Sequence, residues 1–281
     1  MTERPDDLLT NPRSDRVRMV KRLSGRSARE RHGQFLVEGP QGVREAVAHA
    51  PGLVRDLYLT PDAVERYPEI ATAARGSVSH IHLTAPDVVA AMSGDAQGLL
   101  AVVRAEPHPL DALDGAALVA VLARGTDPGN VGTIIRAADA AGAGGVLLGP
   151  GSVELHNPKV VRATAGSLFH LPVVETDDLA GSLERLRAGG LQLLAADAGA
   201  EWDLDDLADH AARGTAAGGG PDLRRPAAWI FGHEAHGLSE AEVALADAVV
   251  GVPIHGLAES LNVATAATLC LYASARAQRH P

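Results

Sequence analysis

Four continuous apolar runs of strand length constrain this chain more than anything else in its sequence: Leu118 to Leu122, Gly145 to Leu148, Leu191 to Ala196 and Ala227 to Phe231. Strands without polar alternation are buried on both faces, and parallel strands covered by crossover helices commonly achieve that. The stretches between the runs have the length and spacing of helices. The chain from Ala116 onward therefore predicts an α/β fold on a parallel sheet.

Ahead of that sheet, residues 33–105 read as a smaller α/β domain. Phe35-Leu36-Val37 is strand-like, and Pro40 opens a helix with Val43, Ala46, Val47 and Ala50 at helical spacing. Thr60-Pro61 starts another helix, and Thr84-x-x-Asp87 has the spacing of a capping box before Val88, Val89 and Met92. Residues 106–115, with two prolines, read as a linker, and residues 116–281 as the second domain. That division suits a chain of 281 residues at roughly 100–200 residues per domain. Residues 213–226, RGTAAGGGPDLRRP, read as a mobile insertion.

The formal net charge is -10, but its distribution matters more than its sum. Residues 1–110 hold 14 basic and 14 acidic side chains, leaving 11 and 21 for the rest, so the acidity lies in the second part. Residues 1–32 read as a basic N-terminal arm, because Arg13, Arg16, Arg18, Lys21, Arg22, Arg26, Arg29 and Arg31 face only Asp15 and Glu30 over residues 12–31. Such an arm suits phosphates. Arginine outnumbers lysine 23 to 2, a bias that a GC-rich genome also produces. The single cysteine, Cys270, excludes an internal disulfide framework and a thiolate metal cluster within one chain. With a polar N-terminus and no run of about 18 apolar residues, the chain reads as cytoplasmic, without signal peptide or membrane span.

Three clusters carry chemistry. Asp127-Pro128-Gly129-Asn130-Val131-Gly132-Thr133-Ile134-Ile135-Arg136 follows a strand and opens a helix, which places backbone N–H groups at the carboxyl edge of a parallel sheet. Asn130 suits the N-cap, with Arg136 further along the helix; the string also reads as a plain capped helix with one solvated arginine. Gly232-His233-Glu234-Ala235-His236-Gly237 follows the Trp229-Ile230-Phe231 strand and precedes a helix capped by Ser239 and Glu242. Its two histidines stand three apart, not the four a zinc helix needs, so no metal is expected there. Pro253-Ile254-His255-Gly256 then leads through Ser260-Leu261-Asn262 into a helix running to Ser274, apolar nearly all round and suited to burial in a subunit interface.

Taken in order, Asp-Pro-Gly-Asn-x-Gly-x-x-x-Arg, Gly-x-Glu-x-x-Gly and Pro-x-x-Gly-x-x-x-Ser-Leu-Asn-Val resemble the SpoU/TrmH-type RNA ribose 2′-O-methyltransferases of the SPOUT superfamily. Asn157-Pro158-Lys159-Val160-Val161-Arg162-Ala163-Thr164-Ala165-Gly166 is similar to the segment such proteins carry between the first two motifs. Phe35-Leu36-Val37-Glu38-Gly39 resembles the start of their ribosomal-protein-like substrate-binding domain. The resemblance implies a C-terminal SPOUT domain with a trefoil knot, S-adenosylmethionine as cofactor, RNA as substrate, a homodimer, and neither membrane nor metal. It places cofactor contacts on Gly232, Val252 and Leu261, and the catalytic set on Arg136, Asn130, Glu234, Ser260 and Asn262. His233 departs from the family's usual small residue or amide. The two-domain layout points by resemblance to ribosomal RNA; a transfer RNA target and a non-catalytic RNA-binding or ribosome-assembly role are the alternatives. A dinucleotide-dependent oxidoreductase ranks last, since no Gly-x-Gly-x-x-Gly opens a helix after a strand.

Overall fold

In the computed structural model, which describes residues 8–279, strand alternation layers the first of two units. This unit takes the chain up to Glu106 together with Glu154–His170. Its elements are α1 (Asp15–Arg22), α2 (Arg26–His32), β1 (Gln34–Glu38), α3 (Gly39–His49), β2 (Val54–Leu59), α4 (Pro61–Arg66), α5 (Pro68–Ala74), β3 (His80–Leu83), α6 (Pro86–Met92) and β4 (Leu99–Arg104). The strands form a mixed sheet in the order β1-β4-β2-β3, antiparallel except between β2 and β3. Successive side chains point to opposite faces of a strand. Phe35, Val37, Leu99, Ala101 and Val103 therefore pack with α3 and α5, while Leu36, Leu100 and Val102 pack with α1 and α6.

The second unit holds the strand runs that dominate the sequence, within Pro107–Val153 and Leu171–Pro281. It begins with β5 (Leu118–Leu122), α7 (Pro128–Ala141) and β6 (Gly145–Leu148). The chain then leaves for the first unit, where α8 (Pro158–Ala163) packs, and returns as β7 (Val173–Glu175). There follow α9 (Leu179–Ala188), β8 (Gln192–Ala196), β9 (Trp202–Asp203), α10 (Leu204–Ala212), β10 (Ala227–Phe231), α11 (Glu240–Val243), β11 (Ala248–Gly251) and α12 (Val263–Arg279). The seven strands pair in the order β7-β6-β5-β10-β8-β11-β9, all parallel. Val119, Val121, Leu193, Ala228 and Ile230 face α9 through Leu179, Leu183 and Leu186. On β10, Trp229 is fully buried and its indole Nε1 donates to Ser274 Oγ at 2.9 Å, tying the long C-terminal helix α12 to the centre of the sheet. No helix among the described residues is long and apolar enough to cross a membrane.

Several local expectations change. Residues 1–7 of the basic arm lie outside the described residues, and most of residues 15–32 is helical. They form α1, capped by Ser14, and α2, because Val17, Val20 and Leu23 share a face that the first sheet buries. Residues 213–226 are not a loose insertion: Leu223 is fully buried, and Gln192 Nε2 donates to the Asp222 carbonyl at 2.5 Å. Ala85, not Thr84, stands at the N-cap of α6, and the Thr84 hydroxyl instead donates to the His82 carbonyl at 3.0 Å. The short edge strands β7 and β9 are too brief to stand out in the sequence.

The segment Glu154–His170 is held in the first unit by a buried ion pair. Arg29, 5% exposed, donates to both Glu154 oxygens at 2.8 and 2.5 Å and to the carbonyls of Leu23 and Ser24 at 3.0 and 2.7 Å. Removing the guanidinium would strand a half-sheltered carboxylate and two carbonyls. Arg29→Ala is therefore expected to cost roughly 3 kcal/mol in urea unfolding, and a loss within experimental error would show that the pair holds nothing.

Candidate active site

Three loops leave the carboxyl ends of β5, β10 and β11, the edge where open parallel sheets bind ligands. The first, after β5, leads into α7. Asp127, not Asn130, is the N-cap here, its side chain accepting from Asn130 N at 2.8 Å, with Pro128 in the first turn. Proline preset for the first helical position puts the cap one residue before it. This frees the Asn130 side chain, whose Oδ1 accepts from Asn262 Nδ2 at 3.0 Å.

Asn262 is itself the cap of α12, its Oδ1 accepting from the N–H groups of Ala264 and Thr265 at 2.9 and 3.3 Å. The helix consequently starts at Val263, two residues beyond the apolar Leu261 and three beyond Ser260. Ser260 and Leu261 stay in an exposed loop, with Leu261 36% exposed.

Glu234 joins the second loop to the first. Its carboxylate accepts from Asp127 N at 3.0 Å and from Thr126 Oγ1 at 2.9 Å. Burial pushes the Glu234 carboxyl up, but the N–H groups of Asp127 and Glu234 and the Thr126 hydroxyl outweigh it and hold the group below the ordinary carboxylate range. Glu234 is thus an anion at neutral pH, an acceptor and not an acid. The unusual His233 fits the loop, with Nε2 3.1 Å from Thr126 Oγ1 and its ring tilted against His236 at 4.9 Å. The loop is a tight hairpin in which His233 and Gly237 exchange two backbone hydrogen bonds of 2.9 Å. At Gly232 a Cβ would run into the Gly237 carbonyl, so no side chain fits.

Between the second and third loops and the end of β8 lies a cavity of about 280 Å³. Gly232, Val252 and Leu261, the expected cofactor contacts, all line it, as do Glu234 and Ser260. Asn130 and Asn262 do not line it but meet each other. Arg136 lies apart: it is exposed on α7 and has no hydrogen-bond or ion-pair partner among the described residues. Sequence reasoning missed Thr126 and Asp127, although Pro128 signals the cap. It also missed Asp197 and Glu259 in the cavity wall, which carry no motif.

The wall is apolar and acidic, with Asp197, Glu234 and Glu259 but no lysine or arginine. That donor set fits a cationic sulfonium amino acid attached to a nucleoside and opposes a pyrophosphate, which counts against a dinucleotide. Backbone groups at side-chain-free Gly232 can approach such a ligand closely.

Residues 117–272 match the SpoU rRNA Methylase family, and the chain belongs to it. It is 32% identical over 268 residues, 90% of its own length and 86% of the relative's, to a 23S rRNA (uridine(2479)-2′-O)-methyltransferase of Streptomyces viridochromogenes. It is 31% identical over 271 residues, 94% and 97% of the two chains, to the 23S rRNA (guanosine(2553)-2′-O)-methyltransferase RlmP of Bacillus subtilis. The crystal structure of the SpoU methyltransferase AviRb of Streptomyces viridochromogenes with S-adenosylmethionine superposes with a TM-score of 0.78 at 32% identity, covering 95% of this chain and 99% of that one. The chain is an S-adenosylmethionine-dependent RNA ribose 2′-O-methyltransferase.

The depressed Glu234 carboxyl gives a signed expectation for stability. Its contribution is complete above the ordinary carboxylate value and is lost as pH falls through its lower folded value. Glu234→Gln should therefore melt below the wild type at pH 7, and the two melting curves should converge as the pH falls through that lowered value. A gap that persists in acid would mean that the ionised carboxylate is not what joins the loops.

Proposed function

We propose that the substrate is ribosomal RNA, that the reacting ribose is met by Arg136, Ser260 and the Asn130–Asn262 pair, and that two chains form the working enzyme. The carrying observation is that residues from all three motifs, far apart in the chain, converge at one sheet edge through Glu234 and the Asn130–Asn262 bond. Relatives named as 23S rRNA methyltransferases over nearly the whole length support the ribosomal target.

S-adenosylmethionine supplies an electrophilic methyl group, and in-line transfer to an oxygen needs no metal. Gly232, Val252 and Leu261 hold it, largely through backbone and apolar surface. Glu234 fixes the spacing of the first two loops, and the Asn130–Asn262 bond fixes the first against the third. Positioning of this kind supplies much of the acceleration. Arg136 contacts the hydroxyl or the adjacent phosphate and stabilises the forming alkoxide; a guanidinium stays protonated and is a poor base. The exposed basic residues of α1 and α2 and the rest of the first unit supply RNA affinity, since the acidic second part repels phosphates. A cytoplasmic location accords with this substrate.

The dimer reading rests on α12. One side of this helix packs on the sheet through Ala267, Cys270, Leu271 and Ser274, while Leu269 and Tyr272 on the other are 44% and 49% exposed. They border a groove of about 760 Å³ against α10 and Pro253, next to the loop that carries Ser260. An apolar surface of this extent on a soluble chain marks a contact site. Sedimentation should give twice the 29.0 kDa chain mass, and Tyr272→Arg should shift it to monomer; an unshifted variant removes this face from the interface.

Arg136→Ala should lower single-turnover methylation by at least about 100-fold while S-adenosylmethionine affinity, read by calorimetry, stays within about twofold, the signature of an interaction made in the transition state. Arg136→Lys keeps the charge and loses the planar fork, so its activity separates plain electrostatics from bidentate contact. Wild-type turnover in Arg136→Ala would return Arg136 to the status of a solvated surface arginine.

A further inference from the structure

Away from the methyl-transfer site, the first unit brings together one group of three potential metal ligands among its described residues: Glu45, His49 and His170. Glu45 and His49 stand four apart on α3 and so share a face. His170 comes from the end of the segment Glu154–His170 and closes the group from the other side. We propose that these residues form a binding site for a divalent transition cation of the zinc class, distinct from the catalytic cavity and not required by its chemistry.

The geometry carries the proposal. His170 Nε2 lies 3.1 Å and His49 Nε2 3.4 Å from the same Glu45 oxygen, Oε2. In a tetrahedral zinc site with ligands at 2.0–2.1 Å, neighbouring ligand atoms stand about 3.3 Å apart. Two edges of the ligand triangle are therefore already at coordination length. All three ligand atoms lie within 4.8 Å of one another, a spacing that a single ion can draw together. The two rings meet edge to face with centroids 4.5 Å apart, an arrangement that aims both Nε2 atoms at the carboxylate without stacking the rings.

The surroundings are built for it. The other carboxylate oxygen of Glu45, Oε1, accepts from Gln41 Nε2 at 3.1 Å, which orients the carboxylate and leaves Oε2 as the ligand, as outer-shell donors do in metal sites. Gly166, at φ +104°, lies against the Glu45 side chain, where a Cβ would run into Glu45 Cγ. The turn that delivers His170 closes over Glu45 only because this residue is glycine. Side-chain exposure rises from 18% at Glu45 through 26% at His170 to 51% at His49, so the site is sheltered on one side and open on the other for entry and a water ligand. Two imidazoles and one carboxylate suit zinc, cobalt or nickel and not the oxygen-seeking magnesium or calcium. A bound cation would clip α3 to the segment Glu154–His170, which interrupts the second unit in sequence.

The test uses the tag-free full-length chain stripped with a chelator. Titration with Co(II) should raise tetrahedral-type visible bands that saturate at one equivalent, and Zn(II) should abolish them while Mg(II) does not. His49→Ala and His170→Ala should each weaken cobalt affinity at least tenfold, with S-adenosylmethionine affinity unchanged as the check that the chain is folded. His49 is half exposed, so its variant can be read even if His170→Ala proves unstable. Absence of saturable cobalt bands, or bands of equal affinity in His49→Ala, would overturn the site and leave Glu45 with one hydrogen-bonded histidine and one close neighbour.

Discussion

The structure depends on the insertion of β10 between β5 and β8. Ala227–Phe231 is buried along its whole length and pairs in parallel with both neighbours, so its carboxyl end must emerge beside that of β5. Parallel pairing leaves no freedom in this: strands that run the same way present their following loops at the same edge. The loop carrying Glu234 thus arrives against the loop carrying Thr126 and Asp127, 108 and 107 residues earlier in the chain. Trp229, from the same strand, reaches the opposite layer and holds Ser274 of α12. One strand therefore sets both the spacing of the first two motifs and the attachment of the helix that begins at the third.

How much of this was legible follows from what each residue does locally. The strands β5, β6, β8 and β10 announce themselves because burial on both faces leaves apolar residues at every position but Gln192. The two edge strands β7 and β9 carry two or three pairing residues and no such signature. Asn130 suits a cap by residue type, but Pro128 fixes the cap at Asp127, and the Asn130 side chain is thereby left to meet Asn262. Residues 213–226 look loose by composition, yet buried Leu223 and the Gln192–Asp222 contact anchor the second half of the segment, and neither long-range partner is visible in a local window. The basic stretch likewise hides Val17, Val20 and Leu23 among its arginines, so charge outweighed a helical face in the reading.

The acidic wall of the cavity and the exposed Arg136 divide the electrostatic work on the proposed assignment. Asp197 and Glu259 would help to hold a ligand that arrives positively charged, and would hold its neutral product less strongly. A carboxylate held against the sulfonium itself would oppose transfer, because that positive charge disperses in the transition state. Glu234 is kept from that position by its bonds to Thr126 and Asp127.

The charge that grows during the reaction is negative and sits on the ribose oxygen, so hydrogen-bond donors must answer it. Asn262 is poorly free to do so: one amide hydrogen is engaged by Asn130, and its oxygen holds the first turn of α12. These engaged groups hold the third loop in place, and on the proposed assignment its second amide hydrogen is left to face the ribose. Arg136 is different, since its guanidinium has no partner among the described residues. In water that charge is well solvated; on the proposed assignment a docked RNA would exclude water and leave it to be satisfied by a phosphate or by the forming oxyanion. An interaction that strengthens as the site dries and the oxygen gains charge is the kind that lowers a barrier without tightening cofactor binding.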